Sequence, residues 1–174
     1  MNKFYGIIMV LFTLCFVSCS SDDETRPENY LTINGTKHII STGTIIDWGT
    51  DSEIEYRKYN LRLKDKLSNP ANYINFSILS NSTKRLEEGE YTYQYLPEKG
   101  VCTNLEIGYD LEYDADNERI KGSCINEYNM ENRAGTIKVS QEDGDYRFDI
   151  NMTFEYKDQN YTVQGCFWDV LTKN

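Results

Sequence analysis

The chain has 174 residues, room for one domain of ordinary size. It carries 18 Lys and Arg against 28 Asp and Glu, a net charge of −10. That balance excludes the basic stripe on which nucleic-acid binding rests, so no nucleic-acid partner is expected. A single histidine argues against a histidine-rich metal centre. No apolar run reaches the ~18 residues of a membrane-spanning helix.

Met1-Asn2-Lys3 makes a short positive start, and Phe4 to Val17 follows as an apolar run interrupted by Gly6 and Thr13. This is the length of a signal-peptide core and too short to cross a bilayer. The run closes on Phe16-Val17-Ser18-Cys19. That tetrad resembles the lipobox of bacterial lipoproteins, with Phe16 where Leu is usual. The resemblance implies cleavage after Ser18 and a lipid anchor on Cys19, diacylglycerol on its sulfur and an acyl chain on its amine. Cys15 lies inside the apolar core without small residues before it and is the poorer candidate. Ser20-Ser21-Asp22-Asp23-Glu24 comes next. It resembles the surface-export signal of Bacteroidota lipoproteins, and its composition alone is also that of a solvated spacer.

The expected organisation is therefore a signal peptide over residues 1–18, a lipidated Cys with an acidic tether over 19–29, and one β domain over 30–174. The membrane partner is reached through the anchor, because each buried CH₂ contributes ~0.8 kcal/mol and two or three acyl chains together hold firmly. The expected location is the outer membrane, facing the exterior. Loss of the leader removes Lys3 and no acid, so the remainder is more acidic still. Its Leu, Ile, Val and Phe make up about a fifth of it, near the border where chains stay unfolded. Aromatics tip the balance toward folding: all but one of the 14 Tyr and both Trp lie in this part, and large rings build a core that aliphatics would leave thin.

From Tyr30 onward the pattern is β. Tyr30 to Ile33, Asn34-Gly35, then Thr36 to Ile40 reads as a hairpin, with Asn-Gly supplying the positive φ angles of a type I′ turn. Tyr59, Leu61 and Leu63 alternate with Asn60, Arg62 and Lys64, a strand with one wet face. Ile74, Phe76 and Ile78 repeat this after Asn69-Pro70, and Tyr91, Tyr93 and Tyr95 follow Glu88-Gly89 and stop at Pro97. Leu105, Ile107, Tyr109, Leu111 and Tyr113 alternate with polar residues up to a turn at Asp114 to Asn117, and Ile120 begins the return. Ile137 and Val139 lead into Tyr146, Phe148, Ile150, Met152, Phe154 and Tyr156, every second residue apolar or aromatic. Lys157 to Asn160 turns the chain into Tyr161 to Leu171, apolar on both faces near Cys166-Phe167-Trp168, as a central or barrel-closing strand is. The expected fold is all-β: an antiparallel sandwich or calycin-like barrel of roughly nine or ten strands. The layout resembles small Bacteroidota lipoproteins of unknown function, which implies a fold and no activity.

Candidate chemistry is sparse. His38 is the only imidazole; beside the Asn-Gly turn and with no Gly-x-Ser-x-Gly elbow in the chain, it reads as a surface residue. Asp114-x-Asp116-x-Glu118 has calcium-like spacing, but Arg119 stands where an EF-hand loop needs Gly and Ile125 where it needs an acid. A solvated face is the favoured reading. Cys102, Cys124 and Cys166 remain, and the exported compartment permits a bridge. A turn near Ala115-Asp116 places Cys124 opposite Ile107 and leaves Cys102 too far along, so Cys166 is the better partner for either.

No catalytic, metal-binding or cofactor-binding residue is assigned, and no cofactor is expected. The leading functional reading is a surface-displayed binding or accessory module for a glycan or protein partner. Its candidate ligand-facing aromatics are Trp48, Tyr56, Tyr91, Tyr93, Tyr95 and Tyr128, while Tyr109, Tyr113, Tyr146 and Tyr156 read as core. The alternatives are a carboxylate-dependent glycan-processing enzyme, for which no motif speaks, and a calycin-like carrier of small apolar ligands.

Overall fold

Strand alternation becomes twelve strands in the computed structural model, which describes Arg26, residues 28–51, Glu53, residues 55–142 and residues 144–173. The expected signal peptide, Cys19 and most of the tether lie outside the described residues. In chain order the strands are β1 (Tyr30–Ile33), β2 (Thr36–Ile39), β3 (Thr42–Asp51), β4 (Tyr56–Lys64), β5 (Tyr73–Ser80) and β6 (Gly89–Tyr93). There follow β7 (Val101–Tyr113), β8 (Arg119–Asn126), β9 (Glu131–Glu142), β10 (Asp145–Tyr156), β11 (Gln159–Asp169) and β12 (Leu171–Lys173). Helical geometry among the described residues is confined to a 3₁₀ turn, Glu127–Asn129.

All strands belong to one curled sheet. One antiparallel run is β3-β4-β5-β7 and another is β9-β10-β11-β1-β2. Strand β6 joins them, antiparallel to β9 and parallel to the start of β7, while β8 pairs with the later part of β7. Only Val170 separates β11 from β12, and β12 pairs in parallel with β3. That short link draws β3 toward β11, and the sheet curls into a half-barrel. At that seam a methyl group on Gly43 would lie 2.6 Å from Leu171 and 2.7 Å from Phe167, so only glycine leaves them room.

The inward rows meet in one core that includes Leu61, Ile74, Phe76, Ile107, Ile137, Phe148, Ile150, Met152, Phe154, Val163 and Phe167. Phe76 on β5 and Phe148 on β10 pack edge to face with centroids 6.0 Å apart, so side chains from the two runs fill the middle. The large even-numbered side chains of β10 all point this way, with Phe148, Ile150, Met152 and Phe154 buried and Tyr146 and Tyr156 packed at the two ends.

Several local expectations change. Strands β3 and β12 escape the periodicity because Gly43, Asp47 and Gly49 break the first pattern and Val170 interrupts the second. Strand β6 ends at Tyr93, and the β10–β11 turn is only Lys157-Asp158, both at positive φ. The Asn34-Gly35 turn has φ of 47° and 83°, as a type I′ hairpin needs. His38 is not on the surface: it pairs across from Leu31, and its ring is buried 6.2 Å from that of Tyr109.

The cysteine reading is also corrected. Cys124 stands opposite Gly108, not Ile107. That slip of one residue turns its side chain to the other face of the sheet. Cys102, Cys124 and Cys166 are all free thiols. Burial pushes the Cys102 thiol up to about 12, which keeps it protonated.

Candidate functional site

The expected aromatics divide by burial. Tyr56, Tyr91 and Tyr93 are buried, with Tyr93 at the floor of a shallow hollow, whereas Trp48, Tyr95 and Tyr128 are exposed. The reason is strand parity: Tyr91 and Tyr93 share the inward face of β6, and Tyr56 packs with Leu79 and Val101 in a small second cluster. The exposed three do not form one platform. Tyr95 lies 4.8 Å beneath the Arg133 guanidinium in a shallow hollow, and Tyr128 lines a different one with Glu155 and Asp158. Trp48 stands on β3 and is 64% exposed.

A groove of about 400 Å³ lies on the outer face of the β3-β4-β5-β7 run, with Thr44 and Ile46 as its β3 wall. Cross-strand register builds it in rows. Arg62, Asn75, Glu106 and Asn126 stand side by side on β4, β5, β7 and β8. Ile46, Asn60, Ser77 and Thr103 form the next row. Trp48 lies two residues along β3 from Ile46, within the register shift between Asp47 and Thr50, and outside the groove's lining. A bulge in β7 opposite Phe76 puts Asn104 at φ 55° and brings its amide into the second row.

Hydrogen bonds hold these side chains in place. Ser77 Oγ donates to Asn60 Oδ1 at 2.7 Å and accepts from Asn104 Nδ2 at 2.9 Å. Tyr73 OH donates to Glu106 Oε1 at 2.5 Å, and Asn75 Nδ2 donates to Glu106 Oε2 at 3.3 Å. The Cys124 thiol also touches both groups, 3.2 Å from the phenol oxygen and 3.4 Å from the carboxylate. Burial first, then the bonds to Cys124 and Glu106, hold the Tyr73 proton on well above the ordinary phenol range. The Arg62 guanidinium lies 5.1 Å over the Tyr73 ring. Two carboxamide oxygens in the Glu106 row, Asn75 Oδ1 and Asn126 Oδ1, are buried without a hydrogen-bond partner among the described residues. Such groups cost roughly 1–3 kcal/mol unless a donor reaches them.

None of these polar residues had been singled out from sequence. Their signal was the wet face of β4, where Asn60 and Arg62 alternate with the core. Which outer faces stand next to it is a matter of strand order. The suspected calcium stretch is a turn: Asp114 Oδ1 accepts from the backbone of Asp116 at 3.0 Å and of Glu118 at 2.8 Å. Among the described residues, no three His, Cys, Asp or Glu side chains group as metal ligands.

Comparison of the chain with protein-family models, curated proteins and solved structures finds no match. The fold and the groove therefore define the class by themselves: an all-β, half-barrel domain with a rigid polar groove on its outer face.

Proposed function

We propose that the protein is a lipoprotein anchored to the outer membrane through Cys19 and displayed at the surface, where it binds glycans in the outer groove lined by Ile46, Asn60 and Glu106. The observation that carries the binding reading is the pair of adjacent rows that puts the hydrogen-bonded carboxamides Asn60, Asn75 and Asn104 with Arg62 and Glu106 in one groove, two positions along β3 from the exposed Trp48. Sugar hydroxyls both donate and accept hydrogen bonds. A carboxamide does the same from one planar group, and a carboxylate or guanidinium supplies the charge-assisted version. An indole offers a flat apolar face to the C–H side of a pyranose ring. Glu106 is the only acid lining the groove, and glycoside hydrolysis in its usual form uses two carboxylates. Binding without cleavage is the reading these residues support.

The test uses the purified full chain on a glycan array, alongside Trp48→Ala and Asn60→Ala. Binding to a defined glycan group should fall at least tenfold in each variant, by more than any stability loss seen in thermal melting explains. Labelling with a clickable fatty acid should be lost in Cys19→Ala. Glycan binding at full strength in both groove variants overturns the site, and undiminished labelling overturns the anchor.

A further inference from the structure

The outer groove leaves unused a larger cleft, about 550 Å³, at the end of the half-barrel where β3, β10 and β12 converge. Its walls are apolar, from Ile45, Leu86 and Leu171, with the 67% exposed Val170 at the rim. Tyr59 and Tyr146 also line it, and neither hydroxyl has a hydrogen-bond partner among the described residues. Burial, followed by the charge of Asp47, pushes the Tyr59 phenol up to about 12, and burial raises Tyr146 as well. Both therefore remain proton donors at neutral pH.

The cleft's own lining holds three cations and one acid, while Glu87 and Glu88 line the adjoining hollow with Arg85 and Tyr146. In a chain of net charge −10, Lys84, Arg85 and Lys173 gather around one opening, and none forms an ion pair among the described residues. The acid in the lining, Asp47, is held by Arg57, with Nη2 to Oδ2 at 2.7 Å and Nε to Oδ1 at 2.9 Å, and feels the Lys173 charge more weakly. The loop that carries two of the cations is pinned. The Thr83 carbonyl accepts from Arg57 Nη1 at 3.2 Å and from Thr50 Oγ1 at 2.9 Å. The fully buried Ser80 hydroxyl donates to the Arg85 carbonyl at 2.8 Å and accepts from the backbone of Ser82 and Glu87. With the loop backbone held, only side-chain freedom of Lys84 and Arg85 is left to lose when an anion arrives.

We infer that this cleft is a second binding site, for an amphipathic anion: an alkyl or acyl chain against Ile45, Leu86 and Leu171, with a carboxylate or phosphate head met by Lys84, Arg85, Lys173 and the two phenols. The site is separate from the groove and does not depend on the glycan reading. Its position suits a lipid source. Arg26 is ion-paired with Asp145, next to the cleft residues Gly144 and Tyr146, so the chain enters the domain at this end. On the anchored reading, the seven-residue step from Cys19 to Arg26 reaches at most about 25 Å, which sets the cleft near the membrane surface.

The experiment is photolabelling of the full chain with a diazirine-bearing decanoic acid and with the matching alcohol, followed by peptide mapping. The acid should label peptides containing Leu86 and Val170-Leu171, and the alcohol should label them at least tenfold less. In Lys84→Glu/Lys173→Glu, with melting unchanged, labelling by the acid should fall at least tenfold. Competition by free decanoate supports a free-acid ligand, and competition by phosphatidylglycerol vesicles supports a lipid headgroup. Equal labelling by acid and alcohol, labelling confined to other peptides, indifference to the charge reversal, or competition by neither overturns the assignment.

Discussion

Gly108 shows how much of the groove rests on single atoms. It stands on the outer face of β7 between Tyr73 and Cys124, and the Tyr73 ring lies across it. A methyl group there would collide with the Tyr73 ring and sit 2.8 Å from a methyl of Leu111. The ring that donates to Glu106 would have to move, and the carboxylate would lose its shortest bond. Gly108→Ala should therefore destabilise the protein by about 1–3 kcal/mol, the range for overpacking. It should also weaken glycan binding more than its stability loss explains. Urea unfolding and array binding of the same sample check both; an unchanged unfolding midpoint refutes the packing claim.

Strand β10 is the clearest element-scale case, because its alternation from Tyr146 to Tyr156 coincides with its burial pattern. Phe148 and Phe154 are almost wholly buried, Phe148 against Phe76 and Phe154 stacked on Tyr161 at 5.2 Å between centroids. Phe148→Ala should cost about 3–5 kcal/mol, as buried Phe truncations do. Thr153→Ala, on the exposed face of the same strand, should stay within about 0.5 kcal/mol. Equilibrium urea unfolding of both variants decides it, and equal stability refutes the inward assignment. This much was legible in sequence, because a period of two is a property of one strand. The neighbouring hairpin β7–β8 was legible only in part. Bulges at Asp110 and near Glu112 shift its register, so counting from the turn missed the Cys124 partner by one.

At the scale of the whole molecule, tyrosine couples the core to pH. Burial raises Tyr59 and Tyr93 to about 12; Tyr161 reaches the same value chiefly through its bond with the Tyr109 hydroxyl, and Tyr56, Tyr91 and Tyr146 also shift upward. In the unfolded chain these phenols titrate near ~10. Between the two values the folded protein holds more protons than the unfolded one, so stability falls as pH rises. The contribution is fully present below pH ~10 and disappears as pH passes through about 12. Absorbance at ~295 nm, the tyrosinate band, should show the buried tyrosines ionising steeply above ~10, together with loss of the sheet signal in circular dichroism. A single titration of all tyrosines near ~10 with the sheet intact would show that the buried set is not buried.

By itself, the sequence determined the all-β class, the Asn34-Gly35 hairpin, the inward face of β10 and the aromatic character of the core. Each follows from neighbours in the chain: alternation, turn residues and composition act within a few positions. Tertiary structure decided that β12 closes on β3 in parallel, that Tyr91 and Tyr93 are interior, that the three cysteines stay free, and that Asn60, Asn75, Asn104 and Glu106 share one groove. It likewise brought Lys84 and Arg85 to the same opening as Lys173, almost ninety positions away in the chain. The physical reason is that strand order and register are set by the burial of whole faces against one another. A strand's own pattern says which side turns inward, and only its partners decide what the other side will stand beside.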